Sequence, residues 1–166
     1  MAKSPRSKVP FRRRREQKTD YRHRKNLIMS GLPRAVVRCS TRNIIIQFAE
    51  FKPEGDVILA TANSKELADL GWKKATGSTP AAYLAGYMAG MRAKKVAPKA
   101  VLDIGLRTPS KGAKIFAALK GMLDAGIEIP HDEAILPPQE RINGSHIGED
   151  VPKMFEKVMT KISEGS

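Results

Sequence analysis

Cysteine occurs once in 166 residues, at Cys39, which excludes an internal disulfide and a cysteine-rich zinc site. A single free thiol fits a reducing, intracellular setting, and Cys39 reads as a small buried hydrophobe. Long apolar runs are missing as well. No stretch approaches the roughly 18 to 20 consecutive apolar residues of a membrane span. Charges stand at the N-terminus where a secretory leader needs an apolar core, so no membrane partner and no secretion are expected. Aromatic residues make up only 5%, which argues against a sheet that stacks bases on rows of rings. Acids are scarce at one end. Residues 1–42 carry 14 Lys or Arg against Glu16 and Asp20 alone, a net of +12, whereas residues 43–166 carry 16 basic and 15 acidic side chains.

Nearly all of the net charge of +13 therefore sits in the first quarter of the chain. The stretch from Lys3 to Arg15, with Pro5, Pro10 and the run Arg12-Arg13-Arg14-Arg15, has too few apolar residues to fold by itself, so residues 1–18 are expected as a disordered basic arm that settles on a polyanion. Asp20 is placed to cap a short helix over residues 21–29 that ends at Gly31 and Pro33. Arg22, Arg24 and Lys25 would offer that helix a phosphate-binding face, with Leu27 on the side that docks.

Three runs rich in β-branched residues follow, over residues 34–40, 43–50 and 56–62, separated by turn chemistry at Thr41-Arg42 and Lys52-Pro53-Glu54-Gly55. They predict an antiparallel meander. Ser64 is expected to cap a short helix over residues 65–70, and Thr79-Pro80 to open the clearest helix, over residues 80–95. Tyr83, Leu84, Tyr87, Met88 and Met91 follow the helical period there, and Ala and Gly elsewhere permit close packing. Residues 100–106 read as a buried strand and residues 111–125 as a helix closed by Gly126. Residues 130–149 read as an irregular loop. A last helix, over residues 150–163, sets Val151, Met154, Phe155, Val158 and Ile162 on one face and Lys153, Lys157 and Lys161 on another.

The expected fold class is α/β, a three-stranded antiparallel meander extended by a parallel strand through a right-handed helical crossover. That ββ(β)αβα order is half of a ribonuclease-H-like fold. The expected organisation is an arm with its short helix (residues 1–30), an α/β body (31–129) and a C-terminal loop and helix (130–166).

No catalytic constellation emerges. Ser145-His146 lacks the nucleophile elbow, and His23, His131 and His146 are dispersed without a His or Cys at helical metal-ligand spacing. Phosphate-loop and dinucleotide signatures are absent, so no metal and no cofactor are expected. A two-metal nuclease would need carboxylates converging on Asp103, and the meander offers only Glu50 and Asp56 near its turns. Asp103 reads instead as a strand-end acid bonding to backbone amides or to Arg107. A general basic chaperone or assembly factor is the other non-enzymatic reading of the arm.

The arm itself points to RNA, because each Lys or Arg at a phosphate releases counterions and Arg adds bidentate geometry. Tyr21 and His23 are interleaved with the cations, as where unstacked bases or sugars are gripped. Shape and backbone readout are expected over sequence readout.

Here the residues carry a resemblance. Phe11-Arg12-Arg13-Arg14-Arg15-Glu16, Lys18-Thr19-Asp20-Tyr21 and Pro33-Arg34-Ala35-Val36-Val37-Arg38 resemble the start of the universal large-subunit ribosomal protein eighteen family. Gly71-Trp72, Ala75-Thr76-Gly77, the segment Pro80 to Gly86, Ala100 to Leu106, and Asp124 to His131 are similar to its archaeal branch. The resemblance spans most of residues 11–149. It implies a non-catalytic, cytoplasmic protein of the large ribosomal subunit that binds 5S ribosomal RNA, bridges it to the large-subunit RNA in the central protuberance, and adjoins other ribosomal proteins. It also implies RNA contacts at Arg12, Arg13, Arg14, Arg15, Lys18, Tyr21, Arg22, His23, Arg24, Lys25, Arg38, Ser40, Thr41, Arg42 and Asn43. A secondary contact is implied at Thr108, Ser110, Lys111 and Lys114. Many relatives have Ser-Asn-Lys-His where this chain has Ser40-Thr41-Arg42-Asn43, a departure that keeps a cation at Arg42.

Overall fold

Alternation of side chains along a strand sends every second residue to the same face, and the meander follows that rule. In the computed structural model, which describes residues 8–165, β1 (Arg34–Cys39), β2 (Ile44–Glu50) and β3 (Val57–Asn63) pair antiparallel in sequence order. Ala35, Val37, Ile44, Ile46, Phe48 and Ala62 are fully buried on one face, and the register sets Val37 opposite Ile46. The other face carries Arg34, Val36, Arg38, Ile45 and Gln47 and stays partly open. β4 (Val101–Asp103) adds to β1 in parallel, giving the order β3-β2-β1-β4. The expected mixed sheet is thus the observed one. β4 is shorter than the expected seven-residue strand because Gly105, at φ 68, turns the chain just after Asp103. Beyond it, residue 128 pairs with the chain before β4: Ala100 N donates to Glu128 O at 3.0 Å and Glu128 N to Pro98 O at 2.8 Å.

The buried face is covered by α3 (Thr79–Ala93) and α4 (Lys114–Asp124). The cap of α3 is Ser78, one residue earlier than expected, whose Oγ accepts from Ala81 N at 3.4 Å; Thr79 is already helical. α4 starts at Lys114 instead of residue 111, since Gly112 holds φ 70 and breaks the helical path. Gly126 does close α4, with Ile127 N donating to Met122 O at 3.1 Å and Gly126 N to Leu123 O at 2.9 Å. The segment after β3 is a 3-10 turn (Ser64–Ala68) capped by Asn63, not Ser64. Asn63 and Glu66 bond reciprocally, while the buried Ser64 Oγ accepts from Ile44 N at 2.9 Å and locks the turn to β2.

The two covering helices touch through their small residues. A Cβ at Gly86 would stand 2.1 Å from Ala118 O, and one at Gly121 would stand 2.2 Å from Tyr83 O, so backbone meets backbone. Gly86→Ala is therefore expected to destabilise by at least about 2 kcal/mol in urea unfolding, as overpacking does. In an open helix the same change stabilises by about 0.5–1 kcal/mol, so the sign of the shift decides whether the contact is as tight as this.

The last helix, α6 (Asp150–Glu164), buries Val151, Phe155, Val158 and Ile162 as its periodicity predicts. Phe155 meets Tyr83 with ring centroids 5.3 Å apart, and Tyr83 OH donates to Asp124 Oδ2 at 2.8 Å, joining α6, α3 and α4. Residues 130–149 are less irregular than expected, with a 3-10 turn at Glu133–Ile135 and one helical turn, α5, at Gln139–Asn143. At the other end, Arg12–Arg15 form one turn of helix, α1, where a wholly disordered arm was expected, and α2 runs over Tyr21–Met29. The part of the arm in residues 1–7 lies outside the described residues.

Candidate nucleic-acid interface

The arm is ordered by short-range bonds that its own sequence supplies. Glu16 takes Arg12 Nε at 3.2 Å and Lys18 Nζ at 2.9 Å, and Arg13 Nε donates to Thr19 Oγ1 at 2.9 Å. Lys18 N donates back to Arg13 O at 2.8 Å, with Gln17 in a left-handed conformation (φ 52), which closes α1. The guanidinium groups of Arg14 and Arg15 make no hydrogen bond or ion pair among the described residues, and all four guanidinium groups stay exposed. Asp20 caps α2 as expected, its Oδ1 accepting from Arg22 N at 2.9 Å and His23 N at 3.1 Å. These backbone donors, that of His23 foremost, hold the Asp20 carboxyl below its ordinary pKa. Tyr21 is half-buried and meets Phe11, the residue before α1, with ring centroids 5.4 Å apart.

On α2 the cations divide. Arg22, His23 and Lys25 face solvent, whereas Arg24 turns inward and gives NH2 to Asp56 Oδ2 at 2.8 Å. The same carboxylate oxygen accepts from NH2 of Arg34 on β1. Arg34 is buried, and its NH1 donates to Asp103 Oδ2 at 3.1 Å. Arg38 completes the row, with NH2 to Asp103 Oδ1 at 2.9 Å and NH1 to Asp103 O at 2.7 Å. One chain of charges thus runs from α2 through the β2–β3 turn and β1 to β4. Burial would push the Asp103 carboxyl up, but Arg38, the Gly105 amide and Arg34 together hold it below its ordinary value. Of the two partners expected for Asp103, the backbone amide is present (Gly105 N, 2.9 Å) and Arg107 is not; Arg107 donates to Cys39 O.

The β1–β2 turn is built by Ser40, which closes on Asn43 in both directions: Ser40 N donates to Asn43 O at 2.8 Å, and Asn43 N to Ser40 Oγ at 2.9 Å. Thr41 and Arg42 stand exposed at its tip. Behind it lies the loop before α3. Thr76 Oγ1 donates to Arg42 O at 2.7 Å and lies 3.0 Å from Asn43 Oδ1. A Cβ at Gly77 would stand 2.7 Å from Thr41 O, so only glycine lets the loop approach this closely. Lys114 Nζ donates to Gly77 O at 2.9 Å, and Thr108, Ser110 and Lys111 are exposed beside it on the loop between β4 and α4. Arg107, Lys114 and Arg38 all bear electrostatically on Cys39, whose thiol is nevertheless pushed up by burial. The structure therefore gathers Arg38, Arg42, Arg107 and Lys114 around one end of β1.

Sequence reasoning did not find Thr76, Gly77 and Arg107, because their partners are remote in sequence. It gave Arg24 to phosphate, and the resemblance gave Arg38 to RNA, without seeing the acids that hold them. The open face of the sheet presents Val36, Ile45 and Gln47.

A family model described as ribosomal large subunit proteins 60S L5 and 50S L18 matches residues 5–97 and 90–132. Curated relatives agree over more of the chain. Large ribosomal subunit protein uL18 of Korarchaeum cryptofilum is 53% identical over 158 residues, covering 95% of this chain and 81% of that protein. Its counterpart in Aeropyrum pernix is 52% identical over 151 residues (90% and 71%), and that of Methanothermobacter thermautotrophicus is 48% identical over 162 residues (97% and 84%). These matches define the class, a structural, non-enzymatic protein of the large ribosomal subunit in the cytoplasm, among ribosomal RNA and ribosomal proteins. Within it, the chain belongs to the uL18 family. No helix among the described residues is long and apolar enough to cross a membrane.

Proposed function

We propose that this protein binds 5S ribosomal RNA and helps to attach it to the large-subunit RNA in the central protuberance, with the arm and the β1–β2 turn as its grip. The observation that carries the reading is the separation of charge, a net of +12 in residues 1–42 on a body that is close to neutral. Arg12, Arg13, Arg14, Arg15, Lys18, Arg22, His23 and Lys25 supply exposed donors to phosphate, and Tyr21 a ring for a base or sugar. Arg42, with Thr41 at the turn tip, and Lys111, with Thr108 and Ser110, extend the surface. Arg24, Arg38, Ser40, Asn43 and Lys114 hold the frame from which these side chains project. For the C-terminal part the alternative under this reading is an additional protein-docking surface.

The test is a salt-titrated competition among 5S RNA, transfer RNA and a random duplex. A preference for 5S RNA that survives moderate salt supports the reading, and equal affinity for all three removes it. In the same assay Tyr21→Ala is expected to weaken binding by about 1–3 kcal/mol, the range for one stacked base, with the salt slope little changed. Loss of slope with no other change would mean that Tyr21 contributes no stacking.

A further inference from the structure

Residues 43–166 are nearly neutral overall, so where their cations gather is informative. On α6, Lys153, Lys157 and Lys161 recur at intervals of four, one stripe with about 6 Å of rise between neighbours. Lys73 joins from the neighbouring loop, where its backbone N–H donates to Met154 Sδ at 3.3 Å. Lys94 and Lys95 follow the end of α3. Two shallow grooves connect Lys157, Lys161, Lys94 and Lys95, one lined by Leu70, Met154, Lys157 and Lys161, the next by Leu70, Met88, Lys94, Lys95 and Lys161. At the junction Lys161 Nζ donates to Leu70 O at 3.0 Å, which fixes one cation between the grooves.

Among the described residues, no acidic side chain lines either groove. Lys73, Lys94, Lys95, Lys153 and Lys157 form no salt bridge among the described residues, and all are exposed. Arg92, at the rim of the second groove, is paired with Glu66 at 2.7 Å. Fifteen acids are spread through the same near-neutral body, so a track of cations without them is selective. The floor is Leu and Met with no ring to stack a base, and the lysine stems can lie over it with their ammonium groups outward. A docked protein helix would have to bring its own acids, whereas a nucleic-acid backbone brings a regular row.

The track is also separate from the turn. α3 is 15 residues long, about 22 Å. The loop at its N-terminal end touches Thr41, whereas Lys94, Lys95 and Lys161 lie at its C-terminal end, so these cations and the turn can be occupied together. We propose that this track is a second phosphate-backbone site, taking a segment of ribosomal RNA other than the one held by the arm. Only the identity of the first RNA rests on the function proposed above.

The test uses the full chain and the triple variant Lys94→Gln, Lys95→Gln, Lys157→Gln, all at exposed positions, with equal urea midpoints confirming that both fold alike. Each is bound one-to-one to surface-held 5S RNA, and a labelled RNA duplex of unrelated sequence is then offered. The wild type is expected to capture the duplex, and the variant to capture it at least about 10-fold more weakly, with a salt slope lower by about 2–3. Its binding to 5S RNA should stay within about twofold. Undiminished capture by the variant overturns the proposal, as does failure of the wild-type complex to capture any duplex. An equal loss of 5S binding would mean a single continuous site. Capture of an acidic amphipathic peptide in place of duplex, lost in the variant, would make this a protein surface and overturn the RNA assignment. Failure of the 5S reading shows separately, as absence of preference for 5S over transfer RNA in the wild type.

Discussion

Replacing Arg12, Arg13, Arg14 and Arg15 together by Gln is expected to lower affinity for RNA by about 10²–10³-fold near 0.1 M salt, through a fall in the salt slope of up to about 3.5. Gln and Arg have nearly equal helix propensity, but the change also removes the Arg12–Glu16 and Arg13–Thr19 contacts, so the salt slope and not the affinity alone reports the charge. The size of the slope change carries structural information. Among the described residues the Arg14 and Arg15 side chains have no partner, whereas Arg12 is engaged by Glu16 and Arg13 by Thr19. A fall of about 2 would mean that those two keep their intramolecular partners on the RNA. A fall of about 3.5 would mean that phosphate displaces exposed contacts worth little in water. An unchanged slope would remove the arm from the interface altogether.

What the sequence made legible was local. Asp20 announced its cap, Gly126 its helix end, and the four-residue spacing along α6 its buried face, because each signal involves neighbours within about one turn. The meander and its parallel extension followed from β-branched runs and from the chain length between them. Elements slipped where a nearer competitor existed. Ser64 and Thr79 are good capping residues, but Asn63 and Ser78 precede them, and Ser64 is drawn into a bond with the buried amide of Ile44. α4 lost its expected first turn to Gly112. The site was legible as composition and not as geometry. Which arginines are free depends on Asp56 and Asp103, 32 residues from Arg24 and 65 from Arg38, and no local pattern reports such pairings. The buttress of the β1–β2 turn by Thr76 and Gly77 is hidden for the same reason.

Those distant acids also set where the fold is most sensitive. Asp103→Asn is expected to cost about 3–5 kcal/mol, read as a lowered urea midpoint, because it leaves the Arg34 guanidinium buried with half its countercharge gone. Asp103 and Arg34 side chains are only 7% and 4% exposed, and Arg34 Nε already has no partner among the described residues, so little water can compensate. Arg38→Met should cost less, about 1–2 kcal/mol: it takes one cation from the buried Asp103 carboxylate, but Arg34 and the Gly105 amide still hold that group, and the side chain lost is itself 47% exposed. The contrast between two variants of one cluster compares loss of the buried acid with loss of the more exposed of its two cations. Acidification supplies a second check. The folded-state pKa of Asp103 lies below its ordinary value, so the stability it contributes is complete above about pH 4 and is lost as pH falls through the folded value. The gap in midpoint between wild type and Asp103→Asn should therefore narrow below about pH 4 and stay constant above it. A variant within about 1 kcal/mol of wild type at neutral pH, or a gap insensitive to acid, would mean that Asp103 does not hold this network. In that case α2 would need another anchor than the run of charges from Arg24 through Asp56 and Arg34 to Asp103.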